Sequence, residues 1–180
     1  MNTKNSALFI AFFCIGLSWA ASAEQEPALQ EVFANDFRIG AALNSDQIYE
    51  KNPDETALIL KHFNTLTAEN IMKWEAIHPK PEQYNFEPVE KFLRLGEKNK
   101  AFLIGHTLVW HSQTPGWVFE TDNSKPAGRQ ILLERMKEHI ETVVGRCKGR
   151  IRGWDVVNEA ISGDGQLRMT KWLEIIGPDY

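Results

Sequence analysis

Ile151-Arg152-Gly153-Trp154-Asp155-Val156-Val157-Asn158-Glu159 reads as a short strand that stops in two polar side chains. Immediately before it, Leu132, Met136, Ile140, Val143 and Cys147 recur at intervals of three and four. That spacing is the apolar stripe of a helix, and Gly149 ends it. Toward the N-terminus the same alternation repeats. Phe37 to Leu43, Thr65 to Ala68 and Ala101 to Ile104 are strand-like. Between them lie two helical patterns: one capped at Asp54 after Pro53, with Leu58, Ile59, His62 and Phe63, and one carrying Val89, Phe92, Leu93 and Gly96. His78-Pro79-Lys80-Pro81 is a loop, because two prolines stop regular structure, and Thr114-Pro115-Gly116 is a turn. Mostly apolar strands alternating with helices predict an α/β fold, a parallel sheet with helices packed outside. An open doubly wound sheet and a closed eight-fold barrel both fit this alternation. Gly40 is isolated, and no Gly-rich phosphate loop follows the first strand, which argues against a nucleotide-binding sheet.

The strands end in side chains that suit a sugar. The second runs into Glu69-Asn70, then Lys73 and Trp74; the third into His106, then Trp110-His111 and Gln113; the fourth into Asn158-Glu159. In a barrel, all strand ends reach one rim, so residues far apart in sequence meet there. Glu, Asn, Lys, His and Gln offer donors and acceptors to hydroxyl groups, and Trp74, Trp110 and Trp117 could lay flat apolar faces against a pyranose ring. The competing reading of each Trp is a core anchor, and Trp154, inside a strand, is assigned to structure.

Three segments carry a family resemblance. Thr67-Ala68-Glu69-Asn70-Ile71-Met72-Lys73-Trp74, Gly105-His106-Thr107-Leu108-Val109-Trp110-His111 and Trp154-Asp155-Val156-Val157-Asn158-Glu159-Ala160 resemble motifs of family 10 glycoside hydrolases, chiefly endo-1,4-β-xylanases, in the family's order. The resemblance runs from about Phe37 to Tyr180. It implies the N-terminal half of a (β/α)8 barrel, about four βα units with outer helices. It implies Glu159 as general acid/base and Asn158 on the 2-hydroxyl of the sugar at the cleavage point. Glu69, Asn70 and Lys73 would hold the neighbouring sugar on the non-reducing side, with His106 and Trp110 lining that subsite. His111, Gln113 and Asp155 would support them. Xylan or a xylo-oligosaccharide is then the expected partner, with no cofactor and no obligate protein partner.

Retaining cleavage needs two carboxyl groups about 5 to 5.5 Å apart, one to protonate the leaving oxygen and one to attack the anomeric carbon. After Glu159 the side-chain carboxylates are Asp164 in a Gly-Asp-Gly turn, Glu174 at the opening of a helix, and Asp179. None stands in a motif resembling the family's nucleophile strand. The expectation is that the nucleophile is absent from these 180 residues and that they do not hydrolyse substrate alone. A half barrel also leaves its first and fourth strand edges open, so poor stability is expected.

Composition narrows the remaining classes. With 20 Lys and Arg against 24 Asp and Glu, the chain has no basic excess to draw nucleic acid or anionic membrane. Lys4, the apolar run Leu8 to Leu17, and Ala21-Ser22-Ala23 form a signal-peptide pattern, with cleavage expected after Ala23. Residues 24–180 would then be an exported partial catalytic domain, secreted or periplasmic, with no membrane role after cleavage. Cys14 leaves with the signal, and Cys147 alone can form neither an internal disulfide nor a cysteine zinc site. Cys147 lies on the helix stripe and is expected to be buried and inert. His62, His78 and His139 are read as surface or helix residues without a role. Two rival functions remain in view. A zinc set of His106, His111 and Glu159 lacks standard ligand spacing. A non-catalytic carbohydrate-binding protein would keep the tryptophans without needing Asn158-Glu159 on a barrel strand.

Overall fold

A computed structural model describes residues 26–121 and 125–180. The expected signal sequence lies outside the described residues. Four strands, β1 (Gly40–Leu43), β2 (Thr65–Ala68), β3 (Phe102–Val109) and β4 (Gly153–Val157), form one sheet in the order β1-β2-β3-β4. Every neighbouring pair is parallel, as expected from alternating strands and helices. The helices are α1 (Leu29–Val32), α2 (Ser45–Ile48), α3 (Pro53–His62), α4 (Trp74–Ile77), α5 (Glu87–Lys98), α6 (Arg129–Arg146) and α7 (Lys171–Ile176), with a 3-10 turn at Gly116–Phe119.

The long helices pack where their apolar stripes predict. Val89, Phe92, Leu93, Leu95 and Gly96 of α5 are buried, as are Leu132 and Val143 of α6. Gly96 lets α5 lie close on β3: a Cβ there would stand 2.4 Å from the Leu103 side chain. Leu66 and Leu103 are register partners, so both project toward the helices, and both are buried. Burial of each such side chain is worth about 1.5–3 kcal/mol.

Several boundaries differ from the sequence reading. The cap of α3 is Asn52 rather than Asp54, its Oδ1 accepting from Asp54 N–H at 3.0 Å and Glu55 N–H at 3.4 Å. Pro53 then occupies the first helical position, where its missing N–H costs nothing. β3 runs beyond its apolar start, through His106 to Val109, because the ladder with β4 continues past the apolar stretch. His106 therefore sits within a strand. Register is interrupted between His106 and Val109, which changes the aim of the rim residues after it.

The outer edges of β1 and β4 are unpaired among the described residues. Val156 and Val157 of β4 are 52% and 39% exposed. Cys147 is 1% exposed, and burial pushes its thiol up to about 11, in line with an inert residue. His139 lies in α6, as a helix residue, whereas His78 corrects the reading as a surface residue. Both are buried, and their Nδ1 atoms face each other at 3.2 Å.

Candidate active site

The parallel topology brings the ends of β2, β3 and β4 to one rim, and the side chains there interlock. Asn70, just past β2, receives a hydrogen bond from Lys73 Nζ at 2.9 Å and a longer one from Gln113 Nε2 at 3.4 Å. Lys73 is only 8% exposed. Its ammonium lies 4.5 Å from the centre of the Trp110 ring, so amide and indole together hold the buried cation. Trp110 in turn donates from Nε1 to Glu159 Oε2 at 3.1 Å. His111 Nε2 stands 3.7 Å from the same oxygen. One continuous chain of contacts thus runs from the end of β2 to the end of β4.

Trp110 is itself fixed. Its carbonyl accepts from the buried Trp172 indole at 2.9 Å and from Thr114 Oγ1 at 2.7 Å. Glu75 N–H donates to the Gln113 carbonyl at 2.8 Å, tying the β3–α6 loop back to α4. A second pair lies deeper in the sheet. His106 and Asp155 are register partners on adjacent strands, so their side chains share a face, and Nδ1 meets Oδ2 at 2.8 Å. Asp155 is therefore engaged with His106 rather than with Glu159. Thr107 Oγ1 donates to the Asp155 carbonyl at 2.8 Å on the other side.

Of the sequence-selected residues, Asn70, Lys73, Trp110, His111, Gln113 and Glu159 form the connected chain, and His106 with Asp155 lies beside it. Asn158 follows β4 and donates its N–H to the Val109 carbonyl at 2.9 Å. Glu69 is exposed at the end of β2, its N–H bonded to the Leu43 carbonyl at 2.9 Å. Trp74 corrects the reading as a sugar platform. It is 2% exposed and stacks on His139 at 3.7 Å, part of an aromatic floor with buried Trp172 and half-buried Trp117. Trp154 lies against Gly105, where a Cβ would stand 2.2 Å from its ring. Among the described residues, no group of three or more His, Cys, Asp or Glu side chains converges as a metal site would. No described helix is long and apolar enough to cross a membrane.

Three contributors escaped the sequence reading: Thr107, Trp172 and Arg168, whose Nε donates to the Glu159 carbonyl at 2.9 Å. None carries a local signal, since each acts through a partner 9 to 62 residues away.

Chemically, the rim offers one exposed carboxyl group beside an indole donor and an imidazole. Exposed amide and carboxylate groups stand a short way along, over a buried cation. Such a surface can hydrogen-bond a row of hydroxyl groups and exchange a proton at one point.

The profile of glycosyl hydrolase family 10 matches residues 28–180. Endo-1,4-beta-xylanase A of Xylanibacter ruminicola is 43% identical over 171 residues, covering 93% of this chain and 46% of the relative. The crystal structure of xylanase XynB from Paenibacillus barcinonensis, complexed with a conduramine derivative, superposes with a TM-score of 0.81 at 44% identity. That match covers 88% of this chain and 47% of XynB. A xylotetraose complex of the intracellular xylanase TsXylA from Thermoanaerobacterium saccharolyticum gives a TM-score of 0.82 at 40% identity, covering 87% and 50%. The four parallel βα units correspond to about half of these (β/α)8 barrels. The chain likewise spans about half the length of the curated relatives it matches.

Proposed function

The chain belongs to glycosyl hydrolase family 10, and on that basis we propose that it supplies the acid/base half of a retaining endo-1,4-β-xylanase site. Glu159 is the general acid and then the base. It protonates the leaving glycosidic oxygen in the first step and activates water in the second. The observation that carries this reading is the pairing of the Glu159 carboxylate with the Trp110 indole at 3.1 Å, on a rim shared with Asn70 and Lys73. Asn158 holds the 2-hydroxyl at the cleavage point. Glu69, Asn70, Lys73, His106 and Trp110 hold the sugar on the non-reducing side. Xylan is the substrate class because most of the relatives are named xylanases, and a mutant of one is in complex with xylotetraose.

In this reading the nucleophile belongs to a further strand outside these 180 residues. Asp164 is taken up by Ser162 Oγ and the Gln166 N–H, and Asp179 by Arg129. The open edges of β1 and β4 are where further βα units would pair. Residues 1–23 export the protein as a cleaved signal.

The test is hydrolysis with two kinds of leaving group. The 180 residues alone release no reducing sugar from xylan. Joined to the remaining βα units of a family relative, they do, and Glu159→Ala then lowers the rate roughly 10²- to 10⁴-fold. The loss is smaller on an aryl glycoside whose leaving group needs no proton. Equal losses on both substrates would refute the assignment.

A further inference from the structure

Glu159 stands in an unusual backbone state, with φ at 54°. This left-handed conformation is disfavoured for a residue with a Cβ, and it persists only where the surroundings over-determine it. On its N-terminal side, Asn158 is still tied to β3 through its N–H bond to Val109. On its C-terminal side, one residue nine positions later holds two successive carbonyls. Arg168 Nε donates to the Glu159 carbonyl at 2.9 Å, and Arg168 N–H donates to the Ala160 carbonyl at 2.7 Å.

The segment that delivers Arg168 is internally closed. Ile161 and Leu167 form an antiparallel bridge, and Ser162 N–H donates to the Gln166 carbonyl at 2.9 Å. Asp164 Oδ1 accepts from Ser162 Oγ at 2.5 Å and from Gln166 N–H at 3.1 Å. Gly165 completes the reversal at φ 81°, a conformation glycine adopts freely. The base of this hairpin returns a guanidinium to Glu159.

We propose that Arg168 is the positioning residue for Glu159: its clamp on the Glu159 carbonyl fixes the left-handed corner that aims the carboxylate at the Trp110 indole. A guanidinium suits this task because it is always protonated and presents its N–H groups in a fixed plane. The role rests on the reading of Glu159 as acid/base, but its test needs no turnover.

The test is the 1H–15N spectrum of the indole groups in residues 24–180, which carry five tryptophans. Trp110→Phe identifies the Trp110 signal, and Glu159→Ala marks where that signal lies without its acceptor. Arg168→Met keeps an apolar stem and removes the donor. The Trp110 signal should move to the position seen in Glu159→Ala, while those of Trp74, Trp117, Trp154 and Trp172 stay. A Trp110 signal unmoved by Arg168→Met overturns the proposal, as does one unmoved by Glu159→Ala. If Arg168→Met collapses all the indole signals, Arg168→Lys decides. A Trp110 signal part-way toward the Glu159→Ala position, with the others in place, supports the clamp, and an unshifted one refutes it. A hairpin that merely stabilised the fold would move no single indole selectively. Should Arg168→Met shift Trp110 while Glu159→Ala spares hydrolysis in the completed barrel, the clamp stands and the acid/base assignment falls.

Discussion

His78 and His139 meet inside the molecule with their Nδ1 atoms 3.2 Å apart. One nitrogen must donate and the other accept, so this contact needs one hydrogen between two neutral rings, while Nε2 of each ring is buried without a partner among the described residues. His139 is stacked on Trp74, and His78 on Tyr84. Burial lowers both imidazoles, and the neighbouring His78 lowers His139 further, to about 3. The Pro81 carbonyl offsets part of the effect on His78.

Acid should therefore destabilise the fold early. Unfolded, these histidines titrate at the ordinary value of 6.5, whereas folded His139 stays neutral down to about 3. The unfolded chain binds more protons throughout that window, so the stability is fully present above pH 6.5 and is lost as the pH falls. By pH 5 the loss from His139 alone should reach about 2 kcal/mol. Urea midpoints between pH 7 and pH 5 measure it. His139→Gln should flatten the slope, and an unchanged slope would clear the pair of responsibility.

Gly105→Ala should destabilise by about 1–3 kcal/mol, because the new methyl would overlap the Trp154 ring and overpack a filled layer. A lowered denaturant midpoint at constant slope is the expected result. A wild-type midpoint would mean that β3 and β4 are not packed this closely.

Lys73→Met keeps the aliphatic stem and removes the cation that Asn70 and Trp110 share. Affinity for xylotetraose, measured by titration calorimetry, should fall about tenfold, or about 1.4 kcal/mol. Undiminished affinity would place the sugar elsewhere on the rim.

Cys147 should resist thiol reagents at pH 8 in the folded chain and react fully in denaturant, since it is buried and its thiol is pushed up to about 11. Rapid modification under native conditions would show that α6 opens locally.

Much of this protein was legible residue by residue. The stripe of α6, the strand Thr65–Ala68 and the buried face of α5 come from periodicity alone, because period fixes which side chains share a face. Strand boundaries were less legible. β3 extends past its apolar start because its partner strand supplies the ladder, which is a property of the pair.

The order of residues along the chain was enough to give the fold class, the polar ends of the strands and the family to which their motifs belong. Which polar group meets which was settled by packing in three dimensions: Trp110 with Glu159, His106 with Asp155, and Arg168 with the Glu159 carbonyl. Packing also turned His78, His139 and Trp74 inward. Hydrophobic period is a local property of the chain, but these pairings depend on register, on the interrupted ladder after His106, and on a backbone corner that no single residue type encodes.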